Sequence, residues 1–190
     1  MKKSALFLLA LPLAICACNN EGKDSVEKAD SANQAKHEDT LRNNIATDEA
    51  TSDFLVRAAD GGMAEVQLGE LAQQKATNAA VKEFGAMMVQ DHTAANNQVK
   101  ALAAGRNVTL PASVSDEHKK KADDLSKKSG KDFDKAFMSA MVSDHEKTID
   151  LFKSGAEKSN DPDVKTFANN TLPKLQHHLD SARAIQKAVK

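Results

Sequence analysis

From Thr51 to the end of the chain, apolar residues recur every three or four positions, and no segment shows the strict alternation of a strand. That period predicts amphipathic helices and an all-α fold. The first long helix is expected over residues 52–76, capped by Ser52 or Asp53. The second covers 78–104 and is stopped by Gly105. A loop through Pro111 leads to a short helix over 114–128, ended by Gly130. A third long helix follows over 132–157. The last opens at Asn160-Asp161-Pro162, a cap residue followed by proline in the first turn, and runs to about Ala188.

Four helices of about 26 residues would each be about 39 Å long. The short helix carries the chain back along the bundle, so the second and third long helices run parallel. This predicts a ferritin-like four-helix bundle with an extra short helix in the crossover between the second and third long helices. The helices also carry a repeat. Phe84-Gly-Ala-Met-Met88-Val-Gln-Asp91-His92 recurs as Phe137-Met-Ser-Ala-Met141-Val-Ser-Asp144-His145, and Val81-Lys-Glu-Phe84 is echoed by Val164-Lys-Thr-Phe167.

Ahead of the helices the pattern changes twice. Lys2 and Lys3 precede an apolar run from Ala5 to Ala17 that is too short to span a bilayer, so residues 1–17 are expected to be a secretory signal. Ile15-Cys16-Ala17-Cys18 resembles a lipobox, with small Ala17 before Cys18, so Cys18 is expected to be lipidated. The bulky Ile15 makes Cys16 a poorer candidate, and a plain periplasmic signal is the alternative. Residues 18–50 then read as the lipidated cysteine and a disordered tether, because Val26, Leu41 and Ile45 are the only large apolar residues after Cys18. A transient helix is expected near residues 36–45. The bundle domain is 51–190, and it lacks cysteine, so neither a disulfide nor a working thiol belongs to it.

Candidate chemistry lies on the inward stripes. The second long helix buries Val81, Phe84, Gly85, Met88, His92, Ala95, Val99 and Leu102. The third buries Met138, Met141, His145, Ile149 and Phe152. The last buries Val164, Ala168, Thr171, Leu175, His178, Ala182 and Ile185, while His177 points to water. Glu65 is the acid on the small-residue face of the first. Glu65, His92, His145 and His178 all lie roughly 20–24 Å from their helix starts, so one titratable group per long helix meets near mid-height. Three imidazoles and a carboxylate suit a divalent transition metal such as zinc, copper, iron or manganese. Asp91 and Asp144 would serve as further ligands or orient the histidines. The alternative is a metal-free network in which these acids accept from the histidines in a structural or interaction protein.

Composition narrows the rest. Lys plus Arg number 26 and Asp plus Glu 27, a net charge of −1, and the chain has no Trp or Tyr. Neither a basic footprint nor aromatic stacking platforms are present, so no nucleic-acid partner is expected. The expected partner is the membrane, through Cys18, in the envelope of a bacterium; no protein partner is indicated. No spaced nucleophile–base motif appears, and a non-enzymatic role is favoured. Met87, Met88, Met138 and Met141 read as core filling. Pro173 is expected to kink the last helix, and Gly61-Gly62 to admit a close helix.

Four segments together resemble the family of domain of unknown function 4142, commonly labelled an outer membrane protein. They are Phe54-Leu-Val-Arg-Ala-Ala-Asp-Gly-Gly-Met-Ala-Glu65-Val, Met88-Val-Gln-Asp91-His92, Met141-Val-Ser-Asp144-His145 and Thr171-Leu-Pro-Lys-Leu-Gln-His-His178-Leu. The resemblance spans about residues 52–188 and implies a ferritin-like bundle in an exported protein. Residues 137–152 also resemble a related exported family whose Met-and-His helices are associated with metal. One departure argues against a di-iron enzyme: the Glu-x-x-His pairs of ferritin-type sites are absent from this sequence.

Overall fold

A computed structural model describes residues 22–41 and 47–189 as six α-helices, with no strand among the described residues. They are α1 (Ser25–Leu41), α2 (Glu49–Lys75), α3 (Ala79–Ala104), α4 (Asp116–Ser126), α5 (Gly130–Lys158) and α6 (Pro162–Ala188). Side chains at the caps fix most starts. Asp48 accepts from Thr51 N, Asn78 from Ala80 N, Ser115 from His118 N, and Asp161 from Asp163 N and Val164 N. The first long helix therefore starts three residues before the expected Ser52, because Asp48 supplies the cap. Gly105 ends α3 as expected. Gly130, expected to end the short helix, instead opens α5 at φ 56°. α6 passes through Pro173 as one helix.

Contacts between helix ends give the topology. Thr51 at the start of α2 bonds Ser159 at the end of α5, and Arg106 just past α3 pairs with Asp161 at the cap of α6. At the opposite end, Asp134 of α5 accepts from Thr77 N, Thr77 Oγ1 and Asn78 N in the turn between α2 and α3. Midway, His145 faces His178, and Arg183 pairs with Glu146. Hence α2 is antiparallel to α3 and α5, and α6 is antiparallel to both of them. α3 and α5 run parallel, as a crossover bundle requires. α4 makes that crossover and is pinned to α2 through Asp60, which accepts from Ser115 N at 2.7 Å and pairs with His118 Nδ1 at 3.0 Å.

A close backbone approach joins α2 to α3. A Cβ added at Gly69 would lie 2.6 Å from Gly85 O, and one at Gly85 would lie 2.8 Å from Gly69 O. Neither backbone oxygen can move without its helix. Gly69→Ala should therefore destabilise the protein by about 1–3 kcal/mol, read from urea unfolding. An unchanged midpoint would show that the two helices separate at no cost.

Residues 25–41 correct the expectation of a disordered tether over 18–50. Asp24 and Glu27 form a reciprocal cap, Glu27 N donating to Asp24 Oδ1 at 2.9 Å and Asp24 N to Glu27 Oε2 at 3.0 Å. α1 then lies against α2 and the loop after α3. The Asn33 carboxamide donates to Thr109 O and accepts from Thr109 N, while Lys36 Nζ donates to Asn107 O. Among its described side chains, Ala29 alone is buried. Polar side chains reaching loop backbone hold this helix, so the apolar pattern gave no sign of it beyond the transient helix expected near residues 36–45, whose first part, 36–41, falls in α1. The signal over 1–17, Cys18 and residues 42–46 lie outside the described residues. No helix among those described is long and apolar enough to cross a membrane.

Candidate metal centre

Two apolar clusters fill the bundle, one towards each end. Phe54, Phe152, Phe167, Val99 and Leu175 belong to the first. Phe84, Phe133, Phe137, Met88, Met138 and Met141 belong to the second, which confirms these methionines as core. Glu65, His92, His145 and His178 belong to neither cluster, and all four are buried. They form the polar layer at mid-height.

The three histidines come together. Their ring centroids stand 5.7, 5.5 and 5.4 Å apart, and one nitrogen from each lies within 4.8 Å of the other two. Hydrogen bonds orient two of the rings. His145 Nδ1 lies 2.9 Å from Met141 O one turn earlier, and since a carbonyl only accepts, that nitrogen carries the proton. His178 Nε2 lies 2.9 Å from the Asp91 carboxylate and is likewise the protonated nitrogen. Both remaining nitrogens, His145 Nε2 and His178 Nδ1, then present lone pairs to each other across 3.4 Å. Two nitrogens on a tetrahedral ion at about 2.0–2.1 Å stand about 3.4 Å apart, so this spacing fits a metal between them. On the third ring, His92, Nε2 is buried with no hydrogen-bond partner.

Electrostatics keep these donors neutral. Burial, reinforced by His145 and His178, pushes His92 down to about 3. Burial, with His178 second, brings His145 down to about 4. His178 is also lowered by burial, with Asp91 opposing. Burial works against ionisation of Asp91, but hydrogen bonds from Lys174 and His178 outweigh it and hold the carboxyl below its usual range. Three imidazoles thus offer lone pairs at neutral pH, one of them backed by a carboxylate in the arrangement common behind metal-bound histidine.

Two other expected participants sit elsewhere. Glu65 is not in the nitrogen cluster; its Oε1 lies 3.8 Å from His145 Nδ1, the nitrogen turned away from the cluster. Burial, then the charge of Asp144, raises its carboxyl to about 8, with Lys121 opposing. It is therefore protonated at neutral pH. Asp144 reaches no histidine, because Lys121 of α4 takes it at 2.6 Å and ties the crossover to α5. His177 is exposed, as expected.

A cavity of about 30 Å³ opens beside the histidines toward the Phe54 end. Glu65, His92 and His178 line it, as does Asn96, which the sequence reading passed over. Asn96 stands four residues after His92 on the same face of α3, and that spacing was the available signal.

The family described as Domain of unknown function (DUF4142) matches residues 27–185, an extent that takes in most of α1. No curated protein matches the chain in sequence. A solved structure described as a DUF305 fragment from Deinococcus radiodurans is similar in fold. Its TM-score is 0.67 at 10% identity, over 75% of this chain and 99% of that one. Another, described as CopM in the Cu(II)-bound form, has a TM-score of 0.64 at 14% identity, over 74% of this chain and 97% of that one. At these identities the likeness is one of fold.

Proposed function

The chain belongs to the DUF4142 family, a domain of unknown function, and from that premise we propose that it is a metal-binding module of the bacterial envelope, holding one copper or zinc ion on His92, His145 and His178. The observation that carries the reading is the pair of lone pairs facing each other across 3.4 Å, with a third buried, unpartnered imidazole nitrogen alongside. In a metal-free protein that arrangement is repulsive unless a proton is held between the rings. A cation resolves it directly. Neutral nitrogen donors suit copper and zinc better than the harder manganese. Asp91, held ionised and hydrogen-bonded to His178 Nε2, stands one imidazole away and offsets part of the charge of the ion. The Cu(II)-bound form of the similarly folded CopM is consistent with such a use of the bundle.

The test is metal content. Protein purified without a His tag and incubated with copper or zinc should retain close to one ion per chain by mass spectrometry, and His92→Ala should lose it. A well-folded wild type that holds no metal would overturn the reading. The mid-bundle layer would then be a proton-sharing polar network in a structural protein.

Export and anchoring belong to the same proposal. The signal over residues 1–17 and the lipobox at Cys18 support attachment to the membrane, with the bundle held outside the cytoplasm. Cys18→Ser should move the protein from the membrane fraction to the soluble fraction of lysed cells. Equal partitioning of variant and wild type would refute the anchor.

A further inference from the structure

Described residues other than His37 contribute three buried side-chain atoms without a hydrogen-bond partner: Glu65 Oε2, His92 Nε2 and Asn96 Oδ1. All three residues line the cavity beside the histidines. Unsatisfied buried polar atoms are costly, and three on residues that line one space mark a place fit to be filled by something polar. The volume, about 30 Å³, is roughly twice what a single water needs, so it admits a group of two or three heavy atoms.

The surroundings say what kind of group. A Cβ at Gly62 would collide with the Asn96 carboxamide, so glycine there leaves room for that side chain in its observed position. A half-turn of that carboxamide presents its NH2 to the cavity. Arg57 and Lys174, whose side chains are half exposed, lie on the lining, but each is paired with an aspartate, Asp53 and Asp91, and Asp91 also lines the cavity, so these side chains balance in charge. Phe152 and Phe167 wall the far side with rings that offer no competing acceptor. A divalent ion on three neutral imidazoles supplies the positive charge that, with the amide donor and the dry wall, favours a small anion.

We propose that an ion held by His92, His145 and His178 keeps one coordination position open toward this cavity, and that a small anion of two or three heavy atoms binds there, hydrogen-bonded by Asn96. The proposal rests on the metal-site reading above. Three protein ligands and a fourth, exchangeable position are the arrangement of open metal sites.

The probe is azide. Copper(II)-loaded full-length protein, titrated with sodium azide, should develop a saturable ligand-to-metal charge-transfer absorption. Asn96→Leu, similar in size but without a donor, should keep its copper and weaken azide about tenfold. Asn96→Asp, nearly the same shape with a negative charge, should also keep copper and weaken azide at least as much. The Cu(II) EPR signal reports retention of copper in each variant. Copper retained with no azide response, or Asn96 variants that titrate like wild type, would overturn the cavity proposal and leave the metal site standing. A wild type that binds no copper or zinc would overturn both.

Discussion

Zinc or copper at about a thousandfold excess over its Kd should raise the melting temperature of the protein by on the order of 10 °C. Binding to the folded state alone at that excess contributes about 4 kcal/mol. For a domain of this size each kcal/mol moves the midpoint by about 2–4 °C. The gain should vanish in His145→Ala, which removes one of the three mutually touching rings of the cluster. His145→Ala also frees Met141 O and leaves a void, so its metal-free midpoint will itself fall. The informative quantity is the shift on adding metal, measured within each variant. Asp91→Asn should give an intermediate result. A carboxamide oxygen still accepts from His178 Nε2, but the loss of charge should weaken binding about 10- to 100-fold and remove several degrees of the shift. An equal shift in all three proteins would place the ion on the surface carboxylates instead.

The bundle was legible in the sequence because long helices bury one apolar stripe each, and the stripes were continuous through His92, His145 and His178. Their equal heights followed from rise per residue alone. Other features depended on side-chain choices that periodicity does not encode. Asp144 occupies the same position after Met141 that Asp91 does after Met88, so the repeat made the two aspartates look equivalent. They differ because Asp144 lies next to the crossover helix, where Lys121 captures it, whereas Asp91 faces α6 and meets His178. Glu65 was placed at the right level, but level does not fix which side of His145 it meets. α1 escaped because its attachment is polar, through Asn33 and Lys36 to the loop backbone, with Ala29 the one buried residue among its described side chains.

The metal-free protein should be most stable near pH 6.5 and lose stability on both sides. On the acid side, His92 and His145 titrate at about 3 and about 4 when folded, against 6.5 as model groups. As the pH falls below 6.5 the unfolded chain takes up protons that the folded chain refuses, so stability is lost down to about pH 4 and further toward 3. On the alkaline side, Glu65 titrates at about 8 folded against 4.5. The folded state then holds a proton that the unfolded state has released, and stability declines as the pH rises from 4.5 through 8. Each unmatched proton changes stability by on the order of 1.4 kcal/mol per pH unit. Between 4.5 and 6.5 the two histidines outweigh the one glutamate, and above 6.5 the glutamate acts alone, which places the maximum near 6.5. Denaturant unfolding with a chelator present, from pH 4.5 to 9, checks this. In Glu65→Gln the alkaline decline should disappear while the acid loss steepens, because the opposing proton has gone. A wild-type profile that stays flat between pH 6.5 and 8 would mean that Glu65 is ionised in the folded protein and that a cation or a nearby donor already compensates it.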